Sequence, residues 1–311
     1  MPDVTVVVGN HQGEAVLDDC LASLAAQTEP PDEVIVVDGE STDASRAVAA
    51  RHGARWLATR NVGLGFLYNR GAEAASTAYV LFTNNDVALE PRCLELLRRA
   101  LDDDPSLFAA DPRQLSWDGA VMVHGHSTLR RGRLWGELLP GLHLDQSGVV
   151  EENARTVMAN GGCMLVRRSM ALELGGFDET FFMDLEDLDL CWRAWLRGWG
   201  VVHVPAAVLR HRVGAVTTAA VLPRRLASSH HNLLRFALKC LPAREAAVVM
   251  AVELARLPRH RGIVARAMAR IARESPAVLR TRAAVRPSRA LLGWMLAGQP
   301  HDAHPGPLHR R

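Results

Sequence analysis

The first hundred or so residues alternate short β-branched runs with stretches of helical periodicity, and this alternation constrains the fold more than any other feature. Val4–Val8 is a continuous β-branched run, the pattern of a strand buried on both faces. Val16, Cys20, Leu21, Leu24 and Ala25 recur at helical spacing, which predicts a helix over about 14–27. Val34–Val37 reads as a second buried strand, then come a helix over about 43–52, a short strand at Ala54–Ala58, a helix over 65–76 and a strand at Tyr79–Thr83. Strands alternating with helices predict an α/β fold, a mostly parallel central sheet with helices on both faces.

Open sheets of this kind bind ligands outside the carboxyl ends of their strands. The residues just past the strands here are Gly9-Asn10-His11, Asp38-Gly39-Glu40 and Asn84-Asn85-Asp86, all polar or conformationally permissive. A nucleotide site lined by these loops is the natural expectation. The stretch over about 105–160 is less regular, with a helix end at Asp102–Pro105 and loops with short strands over 118–150. From Met158 the pattern sharpens into Gly161-Gly162, a strand at Cys163–Val166, helices over about 169–174 and 186–198, and a strand at about 200–204 within the apolar run Val201–Leu209.

Net charge is only +2, but the chain beyond residue 243 holds thirteen arginines against four carboxylates. Ile263, Ala267 and Ile271 line one helical face there and Arg266, Arg270 and Arg273 another. Such a helix either packs on the parent domain with solvated arginines or lies on an anionic membrane surface. Five cysteines, odd in number and without a C-x-x-C pair, point to a reducing compartment. With no basic-then-apolar leader at the N-terminus, and the run Ala246–Leu257 too short and too charged to span a bilayer, the expected location is the cytoplasm or the inner face of the plasma membrane.

Four constellations carry chemistry. Asp38, at a strand end before Ser41-Thr42-Asp43, suits a base or ribose hydroxyl, though Asp-Gly is also a common turn and Ser41 or Thr42 a common helix cap. Asp86 offers a hard oxygen ligand for Mg²⁺ or Mn²⁺, beside Asn84 and Asn85, in a tripeptide that equally suits a plain turn. Asp184–Asp189 is the densest acidic cluster, at the start of a helix whose dipole stabilises negative charge. Capping and an i,i+4 pair between Asp189 and Arg193 account for some of these acids. His211, after an apolar strand, is a candidate structural histidine or a further metal ligand.

These elements occur in order as Val8–Gly13, Asp38–Asp43, Asn61-Val62-Gly63 with Asn69-Arg70-Gly71, and Asn84–Asp86. They continue as Gly175–Glu179, Glu186–Cys191 and His211–Gly214. Together they resemble the family 2 glycosyltransferases of GT-A fold, especially the bacterial rhamnosyltransferase-like branch, over about residues 3–240. The resemblance implies a catalytic domain at 1–240, while the helical pattern after Pro242 predicts a basic helical extension at 241–300 and the His-, Pro- and Arg-rich end a disordered tail at 301–311. The resemblance also implies an inverting transfer of a hexosyl or deoxyhexosyl group, rhamnosyl favoured, from a dTDP-, UDP- or GDP-sugar. The acceptor would be a glycan, glycolipid or small molecule, as in polysaccharide biosynthesis, and no nucleic acid is involved.

On the same basis Asp187 is the general base, supported by Glu186 and Asp189. The nucleotide-sugar would be bound by Val8, Asn10, Asp38, Asn61, Asn69, Arg70, Asn84, Asn85, Gly161 and Gly162. Asp86 and His211 would hold Mg²⁺ or Mn²⁺. Asn84 stands where the wider family often has aspartate. A dinucleotide oxidoreductase is disfavoured because no G-x-G-x-x-G follows the first strand. A silent nucleotide-sugar-binding protein is the remaining alternative, which Glu186-Asp187 and His211 argue against.

Overall fold

The computed structural model describes residues 3–214, 222–259 and 261–298. Its first half runs β1 (Val4–Asn10), α1 (Leu17–Ala25), β2 (Glu33–Gly39), α2 (Ser45–Arg51), β3 (Arg55–Thr59), α3 (Leu64–Ala74) and β4 (Tyr79–Asn84). Next come β5 (Val87–Leu89), α4 (Cys93–Asp103), β6 (Leu107–Ser116), β7 (Met122–His124), β8 (His126–Arg131), β9 (Leu142–Gly148) and β10 (Ala154–Arg155). The remainder is β11 (Cys163–Arg167), α5 (Arg168–Glu173), α6 (Glu186–Leu196), β12 (Gly200–His211), α7 (Leu222–Cys240), α8 (Ala243–Arg256), α9 (Arg261–Val285) and α10 (Arg289–Leu296).

The main sheet has the order β10-β12-β6-β11-β4-β1-β2-β3, with β5 on β12 and β7 on β6. β1 to β4 are parallel, as the alternating pattern predicts, and every residue of β1 is buried. β11 enters antiparallel between β4 and β6, which makes the sheet mixed. The ten-residue β6 falls in the stretch expected to be irregular. Its Asp111-Pro112 interrupts the apolar pattern, and only burial of Asp111 against two histidines lets the strand sit inside.

Register does the positioning. Asn10 pairs with Asp38, Gly9 with Asn84, and Cys163 with Thr83, so four chain segments end at one edge. Helix α3 packs on this sheet so closely that a Cβ on Gly71 would lie 2.2 Å from Val7 Cγ1. Only glycine fits there.

The C-terminal helices share the sheet's core. One apolar cluster runs from Val7 and Phe82 through Trp192 and Trp195 to Phe236, Ile271, Leu291 and Met295. Val264, Ala267, Ile271 and Val278 of α9 are buried, and Arg282 donates to the carbonyls of Leu238 and Leu241. Of the two readings left open for this basic helix, packing on the parent domain is the one observed. The expected tail at 301–311 lies outside the described residues. All five cysteines are buried and unpaired, and no described helix is long and apolar enough to cross a membrane.

Beneath α6 lies a buried ionic network. Lys239 Nζ stands 2.6 Å from both Asp178 Oδ2 and Asp189 Oδ1. Arg193 pairs with Asp189 at 2.8 Å, and Arg235 with Asp178 at 2.9 Å. Burial alone would raise the Asp178 carboxyl, but Lys239 and Arg235 hold it well below the usual carboxylate range. Removing one partner strands a charge in a dry interior, so Lys239→Met is expected to cost about 3–5 kcal/mol in urea unfolding. Because the folded state depresses Asp178, its stabilisation is present at neutral pH and lost on acidification below its ordinary value of 3.8. Lys239→Met should flatten that part of the stability–pH curve.

Candidate active site

A cleft of about 870 Å³ opens where the strand ends converge. One wall is polar, formed by Asn10, Asn61, Asn84, Asn85, Asp86 and His211, and the diglycine Gly161-Gly162 and the acids Glu186 and Asp187 complete it. Leu138, Leu144, Met158 and Leu188 form an apolar wall.

The polar wall is built from the parallel register. Asp38 is only 3% exposed and does not line the cleft. Its Oδ1 accepts from Asn10 Nδ2 at 2.8 Å and its Oδ2 from Ser41 N at 2.9 Å. That fixes the Asn10 amide, so Asn10 Oδ1 accepts from Asn85 Nδ2 at 2.6 Å. Asp38 therefore orients the lining residues from behind.

The diglycine bridges the two halves of the site. Gly161 N donates to Asp187 Oδ2 at 2.8 Å, while the Gly161 carbonyl accepts from the Tyr68 hydroxyl at 2.8 Å. Gly162 O accepts from Asn84 N at 3.0 Å. A Cβ on Gly161 would stand 3.3 Å from Asp187 Oδ2, and one on Gly162 3.2 Å from His211 Cε1. Side chains here would crowd the acids on one side and the histidine on the other.

A chain of hydrogen bonds fixes the histidine's tautomer. Gly162 N can only donate, and it does so to Asn160 Oδ1 at 2.8 Å. The same oxygen accepts from Gln114 Nε2 at 3.2 Å. Gln114 Oε1 then faces His211 Nδ1 at 3.1 Å, so Nδ1 carries the proton. In neutral His211 this leaves the Nε2 lone pair 3.2 Å from Asp86 Oδ1, a buried oxygen with no hydrogen-bond partner among the described residues. Two electron-rich atoms face each other there, an arrangement relieved by a shared cation or an added proton. Among the described residues no group of three His, Cys, Asp or Glu side chains gathers to hold a metal. Further ligands would have to come from diphosphate oxygens and water.

Asp187 and Glu186 open helix α6. Asp187 Oδ1 accepts from Leu188 N at 2.7 Å, and its other oxygen holds the Gly161 N–H. Burial raises its pKa despite these bonds. Glu186 is 5% exposed, and burial, with the neighbouring Asp187 charge, pushes its pKa well above the ordinary range. Its Oε2 has no hydrogen-bond partner among the described residues.

The turn before them is strained. Asp184 and Leu185 both take the left-handed region, at φ 71° and 72°. Two successive non-glycine residues there cost on the order of 1–3 kcal/mol each unless the surroundings hold them. Helix α7 does so: Arg225 grips both Asp184 carboxylate oxygens at 2.7 Å, and Asn232 Nδ2 donates to the Met183 and Asp184 carbonyls at 2.7 and 3.0 Å.

Several residues nominated from sequence are not brought to the cleft. Val8 points into the core. Asn69 is buried, bridging the Phe177 backbone and Glu179, and clamps the turn where Gly176 has φ 70°. Arg70 pairs with Glu73 and Glu179 on the surface of α3. Asp189 is fully buried on the opposite face of α6, in the Lys239 network. Strand, helix and turn packing turn each of these side chains away from the cleft, and for Val8 the expectation concerned the backbone. Conversely, Asn160, Gln114, Arg225 and Asn232 were missed. Gln114 lies in β6, Arg225 and Asn232 in α7 and Asn160 in a loop, and single polar residues of these kinds give no periodic signal, although Asn160 directly precedes the diglycine.

The chain matches the Glycosyl transferase family 2 profile over residues 5–175. It is 32% identical over 262 residues to the N-acetylglucosaminyl-diphospho-decaprenol L-rhamnosyltransferase of Mycobacterium tuberculosis, covering 76% of this chain and 84% of that relative. The amylovoran biosynthesis glycosyltransferase AmsE of Erwinia amylovora is 24% identical, covering 69% and 77%. Among solved structures, GalNAc-T7 with UDP, GalNAc and Mn²⁺ superposes with a TM-score of 0.61 at 15% identity, over 77% of this chain and 48% of that one. S. aureus TarS 1–349 in complex with UDP superposes with a TM-score of 0.53 at 18% identity, over 83% and 72%.

The mixed sheet, with its polar cleft at the strand ends, is thus a GT-A fold. The protein belongs to glycosyl transferase family 2, enzymes that transfer a sugar from a nucleotide-sugar.

Asn232→Ala removes the two bonds to the backbone of the strained turn and leaves Arg225 on the Asp184 carboxylate. It is expected to cost about 1–3 kcal/mol in chemical denaturation. Because Asn232 does not touch the cleft, steady-state kinetics should show turnover falling more than donor affinity.

Proposed function

We propose that this enzyme transfers a deoxyhexosyl group, L-rhamnosyl first, from a nucleoside diphosphate sugar to a hydroxyl of a lipid-linked glycan, with inversion at the anomeric carbon. The observation that carries the chemistry is one cleft holding a cavity-facing carboxylate, Asp187, and the Asp86–His211 pair, joined through Gly161-Gly162. The sugar and acceptor class rest on likeness to the mycobacterial rhamnosyltransferase. The apolar wall beside Asp187 supports an acceptor with a hydrocarbon portion. Its place of action would be the cytoplasmic face of the membrane.

Inverting transfer needs one base to take the acceptor hydroxyl proton as that oxygen attacks the anomeric carbon. Asp187 takes this role because it faces the cavity, whereas Glu186 is more deeply buried. The Gly161 N–H on Oδ2 and the Leu188 N–H on Oδ1 fix the carboxylate's plane. Burial and the neighbouring Asp187 charge push the Glu186 pKa up, which lessens the negative charge it would hold against a diphosphate. Asn10 and Asn85, locked by Asp38, and Asn61 and Asn84 present amides to the nucleotide.

Asp86 and His211 fit a divalent cation, since an orphaned carboxylate oxygen faces a lone pair. Mg²⁺ or Mn²⁺ held there would offset charge on the departing diphosphate. The chain's part is to set the tautomer of neutral His211 through Gln114 and Asn160, with the proton on Nδ1 and the lone pair on Nε2.

Asp187→Asn is expected to lower transfer by about 10²–10⁴-fold. A thermal-shift screen should still show stabilisation of the variant by the cognate dTDP-, UDP- or GDP-sugar. Undiminished transfer would remove Asp187 from the base role, and a preference for another sugar nucleotide would remove the rhamnosyl assignment. Because burial raises the pKa of Asp187 above its ordinary 3.8, kcat/KM should fall on acidification at a pH above that value. Gln114→Leu should raise the Mn²⁺ concentration for half-maximal activity roughly 10-fold or more, since it frees the His211 tautomer.

A further inference from the structure

The cleft's apolar wall does not end at its rim. Leu138 lines the cleft and is also 50% exposed, and it lies in the 132–141 loop between β8 and β9. In the same loop Leu134 is 51% and Trp135 54% exposed. Three large apolar side chains within five residues, open to solvent beside a binding cleft, mark an interaction surface.

Charge around them identifies the partner. Arg130, Arg131 and Arg133 are all exposed beside the loop. Helix α8 lies alongside: Arg131 reaches Glu245 at 3.4 Å, and the Arg256 guanidinium stands 5.8 Å from the Trp135 ring centroid. The acids of this region are turned inward and paired. Glu137 holds His143 at 2.7 Å, Glu245 takes Arg131, and the fully buried Glu253 holds Arg256 and His230. What faces outward is apolar and cationic.

A tryptophan flanked by leucines and ringed by arginines matches the water–hydrocarbon boundary of an anionic bilayer. Aromatic and aliphatic groups enter the interface there, and guanidinium groups meet lipid phosphates. We propose that the 132–141 loop and the adjoining face of α8 lie on an anionic lipid bilayer, presenting the cleft to acceptors whose apolar tail enters past Leu138. Only the nature of the acceptor rests on the function proposed above. The membrane surface itself rests on the loop, α8 and their charges. Helix α9, the basic element that sequence alone puts forward for this role, spends its apolar face on α7 and the core.

The test is flotation of the full chain with vesicles of phosphatidylglycerol and phosphatidylcholine, against vesicles of phosphatidylcholine alone. The parent protein should float with the anionic vesicles and not with the neutral ones. Leu134→Ser with Trp135→Ser, and separately Arg130→Glu with Arg133→Glu, should each weaken partitioning roughly 10-fold or more. Both double variants should keep the parent's melting temperature and its thermal shift with nucleotide-sugar, because none of the four residues lines the cleft. The proposal is overturned if the parent ignores anionic vesicles, or if both variants float as the parent does. It is equally overturned if the parent is a dimer that the Leu134/Trp135 variant converts to a monomer without any change in lipid binding, which would make the face a contact between copies. If no protein binds a nucleotide-sugar yet flotation follows the expected pattern, the donor reading fails and the membrane surface stands.

Discussion

The turn at Asp184-Leu185 is the constraint on which the acidic side of the site depends. Two left-handed residues in succession reverse the chain sharply enough to start α6 with Glu186 and Asp187 in the cleft and Asp189 behind it. Neither residue favours that backbone region, so the turn persists only because α7 holds it through Arg225 and Asn232. Helix α7 is held in turn by Lys239 and Arg235, which neutralise Asp178 and Asp189 beneath α6. The C-terminal helices therefore do more than cover apolar surface. They keep two adjacent buried carboxyls at the start of a helix, where burial raises both pKa values.

The other side of the site is organised by backbone donors. Gly161 N orients Asp187, and Gly162 N begins the relay through Asn160 and Gln114 that sets the His211 tautomer. One dipeptide thus adjusts both the acid and the histidine. Beneath it, Asn160 N donates to Asp111, a carboxylate with no exposed surface, bonded to His124 and His203. Burial would raise that carboxyl, yet the two imidazoles hold it below its ordinary value. An ionised anchor inside the sheet fixes the loop more firmly than a neutral hydrogen bond would.

Much of this was legible in the sequence. Val4–Val8, Val34–Val37 and Tyr79–Thr83 announce parallel strands because β-branched runs between helical patterns have few other uses. The rule that ligands lie at strand ends then selects Asn10, Asn84, Asn85 and Asp86, and the structure gathers these with Asn61, Gly161, Gly162, Glu186, Asp187 and His211 in one cleft. Asn69, Arg70 and Asp189 carry the same chemical types at motif positions but pack elsewhere, since composition does not say which way a helix face turns.

What the sequence determined by itself is therefore the order of strands and helices and the polar loops that close them, because hydrophobic periodicity and turn chemistry are local. Tertiary structure alone decided which acids face the cleft, which proton His211 carries, and where the apolar wall emerges onto the surface. Those depend on a left-handed turn gripped from more than forty residues away, on amides more than forty residues apart, and on a hairpin loop without periodic signal. Contacts of that kind leave no local pattern, since each is fixed by packing between segments and not by the residues beside it.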